Sequence, residues 1–133
     1  MSFAPHGSYR AWRDGAIVYV EATGPFNKEI IEEFRRLTLP IFAELPPNRP
    51  QATILIQRVS AMATPEAIEE TRRNANLVEQ RHARVALAYV MGPDVEGREI
   101  MEIRLREVFA DHPAFEIFET VEEATAWARP LVG

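Results

Sequence analysis

The stretch VSAMATPEA, Val59 to Ala67, carries two hydroxyls, Ser60 and Thr64, between an apolar run and a run of helical character. A hydroxyl placed there has two uses. It can accept from a free amide at the start of the next helix, or it can carry a phosphoryl group that those amides and the helix dipole would stabilise. Thr64-Pro65 fits the first use, with Thr as the cap and Pro in the first turn, where no amide donor is missed. Ser60 lies four residues earlier, outside any capping position. Both residues are kept as possible phosphoacceptors, with a structural role as the plainer reading.

Other reactive side chains form no constellation. His6, His82 and His112 are far apart and show no metal-ligand spacing. His82 falls on the apolar arc of its helix, where a hydrogen-bonded structural histidine is expected. His112, before Pro113 at a helix end, is expected to meet the terminal carbonyls. The pairs Glu32-Glu33, Glu69-Glu70 and Glu122-Glu123 fall on solvent-facing sides or in first turns and read as solubility and capping. Gly92 and Gly97 are isolated, and neither GxGxxG nor GK[ST] nor Gly-x-Ser-x-Gly occurs. The absence of cysteine excludes disulfides, thiolate catalysis and zinc–sulfur sites. With no nucleophile–base pair to name, the chain reads as non-enzymatic, without a metal or a cofactor.

The bulk composition narrows the partners. A chain of 133 residues fits one domain, 1–133, with residues 1–7 expected as a flexible N-terminus. Its net charge is −5, and its fourteen arginines are interspersed with glutamates, which argues for solvated ion pairs and against nucleic acid. The longest apolar stretch, VALAYVMG, is too short to cross a bilayer, and the start MSFAPHGSYR lacks the pattern of a signal peptide. A cytoplasmic location is the expectation.

The elements that would position these residues follow from periodicity. SYRAWRDGAIVYVEATG predicts a hairpin turning at Asp14-Gly15 in a type I′ turn. That places Trp12 opposite Ile17, with Tyr9, Ala11, Val18 and Val20 on one face and Arg10, Trp12, Ile17 and Tyr19 on the other. NKEIIEEFRRLTLPIFAEL predicts a helix capped by Asn27. Its apolar arc holds Ile30, Phe34, Leu37, Ile41 and Leu45, flanked by Ile31, Thr38 and Phe42. Pro40 predicts either a kink or two short helices broken at Leu39. ATILIQRV and RVALAYVM read as central parallel strands covered on both faces. Between them, Ala67, Ile68, Thr71, Ala75, Val78 and His82 share a helical arc. REIMEIRLREVFADH is a third helix and FEIFE a short edge strand. TVEEATAWARPLV closes as a helix with Thr120 and Glu123 spaced as a capping box and a buried stripe of Val121, Ala124, Trp127, Ala128 and Leu131. The order β-β-α-β-α-β-α-β-α implies an α/β fold: a single-layer, mixed, mostly parallel five-stranded sheet with helices packed on it.

That order resembles the STAS superfamily, and more closely its SpoIIAA-like branch, related in fold to the lipid-binding Sec14-type domains. The residues that carry the resemblance are GAIVYVEATGPFNKEIIEEF, ILIQRVSAMATPEAIEE and the ending FEIFETVEEATAWAR, together spanning about Tyr9 to Arg129. The resemblance implies a regulatory protein that binds a protein partner, switched by phosphorylation of a serine in an Asp-Ser-x-Gly loop. Here the corresponding loop is QRVSAMATPE, with no Asp beside the Ser and no Gly.

Two surfaces are candidates for function. In open α/β sheets, ligands settle beyond the carboxyl ends of the parallel strands, so TGPFN, SAMAT and MGPDVEG should converge on a rim. Phe26, Met62, Met91 and Pro93 would line it, with Asn27, Ser60, Thr64 and Asp94 as its polar groups. This suits a partner or a small apolar, lipid-like ligand. On the third helix, Met101, Leu105, Val108 and Phe109 fill the arc that faces the core. Ile100 and Ile103 lie outside that arc and predict an interface with a protein partner, a twin subunit or a membrane surface. The sequence thus reads as a regulatory or protein-interaction module, with a small-molecule or lipid-binding domain as the alternative.

Overall fold

The computed structural model describes residues 9–112 and 114–133. His6, Pro113 and the expectation for residues 1–7 lie outside the described residues. The chain opens as a hairpin, β1 (Tyr9–Asp14) antiparallel to β2 (Ile17–Thr23). The loop is Gly15-Ala16, one residue later than expected. Asp14 pairs with Ile17, and Gly15 alone takes a positive φ, 59°, where a type I′ turn needs two such residues. Trp12 therefore opposes Tyr19 instead of Ile17, and the two rings stack at 5.2 Å. Because the pairing slides by two, every side chain keeps the face assigned to it.

The remaining elements are α1 (Lys28–Ala43), β3 (Gln51–Arg58), α2 (Pro65–Arg81), β4 (Arg84–Met91), α3 (Arg98–Val108), β5 (Phe115–Phe118) and α4 (Val121–Val132). The strands lie in the order β1-β2-β3-β4-β5, and every pair after the first is parallel. This is the α/β sheet anticipated from the sequence. Consecutive right-handed crossovers between neighbouring strands drop their helices on one face. Accordingly α1, α2 and α3 cover one side, while α4 covers the other, where Ala124 and Ala128 meet Ala52, Ala86 and Ala88.

Local chemistry sets the helix starts. The Asn27 side chain accepts from the Ile30 amide at 3.0 Å, and Thr64 Oγ1 accepts from the Ala67 amide at 3.1 Å. Thr120 Oγ1 accepts from the Glu123 amide while its hydroxyl donates to the Glu123 carboxylate. α1 runs unbroken through Pro40, so the two-helix alternative does not hold. Its buried residues are Ile30, Ile31, Thr38 and Phe42, a face turned toward the flank of the expected arc. α3 stops at Val108, and the residues after it form a turn. Leu131, placed in the buried stripe of α4, is instead exposed, because it sits in the last turn, past the alanines that touch the sheet. Among the described residues no helix is long and apolar enough to cross a membrane.

Candidate functional site

The three loops beyond the parallel strands are stitched to one another. The Phe26 amide donates to the Met62 carbonyl at 2.8 Å and the Thr64 amide to the Phe26 carbonyl at 3.1 Å. The Ala61 amide donates to the Glu96 carbonyl at 2.8 Å and the Glu96 amide to the Val59 carbonyl at 2.9 Å. Two glycines make this closeness possible. A Cβ on Gly24 would lie 1.9 Å from the Ser60 carbonyl oxygen, and one on Gly97, at φ 75°, would lie 2.3 Å from Met62 Sδ. The loops close on each other, and backbone hydrogen bonds and the Met62 side chain occupy the space between them.

Each rim residue has a defined place. Phe26 and Met91 are buried. Ser60, also buried, donates from Oγ to Glu96 Oε1 at 2.8 Å and accepts from the Met62 amide at 3.2 Å. Met62 is half-buried, Asn27 and Thr64 are helix caps, and Asp94 is exposed. Val59, before Ser60, has φ 69° and is 68% exposed. A β-branched residue in that conformation is strained by about 1–3 kcal/mol. On α3, Ile100 and Ile103 are 56% and 63% exposed, while Met101 and Leu105 are buried.

One layer below the rim, a cavity of about 100 Å³ lies between the sheet and the three helices. Leu55, Leu87 and Tyr89 form its floor, with walls from Phe34 on α1, Ile68 on α2 and Leu105 on α3. Leu55 is the middle residue of a central strand and is nonetheless only half-buried. Phe26 is the one predicted rim residue that also lines this space. Three polar atoms of the lining are buried without a hydrogen-bond partner: Gln57 Oε1, Asn74 Oδ1 and Arg84 Nε. Among the described residues, the charged ones in the lining are Arg35, Arg84 and Arg104. The Arg84 guanidinium lies 3.4 Å from the Ala75 carbonyl and 3.5 Å from Glu79. Its burial lowers its pKa, and Glu79 opposes that shift. Burial likewise pushes the Tyr89 phenol up, with Arg84 pulling against it. The sequence did carry a signal for this space. Gln51, Thr53 and Gln57 share one face of β3 with Leu55, and a buried strand face admits polar groups only where something answers them.

His82 caps the C-terminus of α2 and stacks on Phe42 at 4.8 Å, with its pKa lowered by desolvation. The His112 side chain accepts from the Ala114 amide through Nδ1 and sets Nε2 2.8 Å from Glu79 Oε1, while its backbone amide donates to the Phe109 carbonyl at the end of α3 at 3.0 Å. Among the described residues no group of histidine and carboxylate side chains could hold a metal ion.

No family model matches the sequence, and no curated protein is found similar to it. Solved structures are. An anti-sigma factor antagonist from Mycobacterium paratuberculosis superposes with a TM-score of 0.57 at 14% identity, over 92% of this chain and 93% of its own. An uncharacterised protein of the DUF3478 family with a SpoIIAA-like fold, from Shewanella loihica, gives a TM-score of 0.61 at 16% identity, over 96% and 98%. The five-stranded mixed sheet, its strand order and its four helices thus make a SpoIIAA-like fold of the STAS type.

Proposed function

We propose that this chain is a non-enzymatic, regulatory protein-interaction module of STAS type. Its contact surface runs along the exposed side of α3, through Ile100 and Ile103, to Val59 and the rim. The observation that carries this reading is the exposure of these three large apolar side chains on a regular helix and a strained loop. Exposed apolar groups gathered on one surface suit association, and backbone strain collects where a surface is used. Thr64, Asp94 and the half-buried Asn27 and Met62 supply the rim's side chains to that contact, and Phe26, Ser60 and Met91 support them from beneath. Thr64 is the more accessible phosphoacceptor. A phosphoryl group on Ser60 would have to displace the Glu96 carboxylate. That a protein described as an anti-sigma factor antagonist shares the fold supports a regulatory role.

The occupant is a protein surface, and a second copy of this chain is the one the test supplies. Sedimentation of the wild type and of Ile100→Glu/Ile103→Glu is compared over a range of concentrations. Expected is a self-association that the double variant loses while its circular dichroism is unchanged. Identical sedimentation of the two refutes the surface.

A second reading, a small-molecule-binding domain, is favoured by one specific observation. An apolar cavity containing three unpartnered polar atoms lies between the helices and the sheet.

A further inference from the structure

The charges around that cavity are one-sided. The chain carries 20 acidic residues against 15 basic ones, yet among the described residues every charged side chain in the lining is an arginine. Their neighbours show how uneven this is. On α1, Lys28 pairs with Glu32 and Arg36 with Glu33. On α3, Arg98 pairs with Glu119 and Arg106 with Glu102 and Glu116. Arg35 and Arg104, on the same two helices, have no carboxylate partner among the described residues. Deeper in, the Arg84 side chain is 6% exposed, and its Nε has nothing to donate to. A buried donor without an acceptor is costly, about 1–3 kcal/mol, whereas Arg35, half-buried, and Arg104, exposed, are cations that water still reaches. An anion whose apolar part enters the cavity would give the Arg84 donor an acceptor and the other two arginines a counter-charge.

We propose, resting on the small-molecule reading above, that the cavity takes a small amphiphilic carboxylate. Its hydrocarbon part lies over Leu55, Leu87 and Ile68, and its carboxylate faces the arginines of the lining. Size limits the hydrocarbon part. The space is about 100 Å³, somewhat below the roughly 150 Å³ of an engineered apolar cavity that admits benzene. The fit is therefore to a short alkyl chain or a single ring.

Hexanoate and 1-hexanol, matched in chain and differing in charge, test this by chemical-shift titration at neutral pH. Three proteins are compared: the wild type, Leu55→Trp and Arg35→Gln/Arg104→Gln. Expected is hexanoate bound about tenfold more tightly than hexanol. Leu55→Trp should abolish the shifts from both ligands. The arginine variant, altered only at half-buried Arg35 and exposed Arg104 and keeping Arg84, should narrow the tenfold difference to about threefold. Equal affinity for the two ligands in the wild type, or a preference for hexanoate undiminished by the arginine change, overturns the proposal and leaves a merely apolar cavity. If neither ligand shifts any cavity resonance, the small-molecule reading falls with it.

Discussion

The two faces of the sheet are covered in opposite styles. One helix, α4, seals its side by bringing Ala124 and Ala128 against Ala52, Ala86 and Ala88, all fully buried. Tyr19 then reaches across to Thr125 with a 2.9 Å hydrogen bond. Three helices cover the other side and still leave a cavity with Leu55 half-buried beneath it. The difference lies in side-chain size and polarity, not in the number of elements. Methyl groups allow helix and sheet to approach closely and lose little side-chain entropy on burial. Thr53, Gln57, Asn74 and Arg84, facing the other way, hold their elements apart and need partners of their own. A sheet built so has one face for stability and one with space to spare for binding.

The comparison breaks if the faces respond alike to added volume. Ala128→Leu inserts a branched side chain where there is no room and should cost about 1–3 kcal/mol, read as a lowered denaturant midpoint at constant m-value. Ala75→Leu adds the same atoms on the cavity side, where Ala75 lines the open space. The expected result there is a change between zero and a gain of about 1 kcal/mol in the same measurement, from apolar surface filling a void. Equal losses at the two positions would mean that the faces are equally tight.

A smaller effect sharpens the picture at the edge of the sheet. β5 is an edge strand, and the Ile117 amide is taken by the Glu116 carboxylate at 2.9 Å, which also meets Arg106 at 2.9 Å. A charged side chain over an edge amide discourages a further strand from pairing there. That amide, and then Arg106, hold the Glu116 carboxyl below its ordinary 4.5. A depressed carboxyl contributes stability above the unfolded value that is lost as pH falls through the folded one. In acid denaturation, Glu116→Gln should therefore lower stability slightly at neutral pH and flatten its fall below pH 4.5, with no difference left once the pH is below the folded value. The effect is small because the side chain is 41% exposed and solvent screens it. An unchanged acid limb would show that the Glu116 contact contributes nothing to folding.

Much of this was legible beforehand. The near-continuous apolar runs ATILIQRV and RVALAYVM, the Asn27, Thr64 and Thr120 caps and the amphipathic stripes all act within a few residues of one another, so local sequence specifies them. The hairpin turn was displaced by one residue because Asp14-Gly15 and Gly15-Ala16 are both acceptable pairs, and cross-strand stacking of Trp12 on Tyr19 was not visible in either. The rim loops could be named from the strand ends. Their closure could not, since it depends on Gly24 meeting Ser60 and Gly97 meeting Met62, contacts between segments far apart in the chain.

By itself, then, the sequence determined the order of elements, their faces and the parallel character of the central strands, because each rests on short-range periodicity and turn chemistry. Only the tertiary structure decided where space remains. An internal void is the residue of three helices and a sheet failing to meet, and its volume and charge depend on Arg35, Leu55, Arg84 and Arg104, which no local pattern brings together.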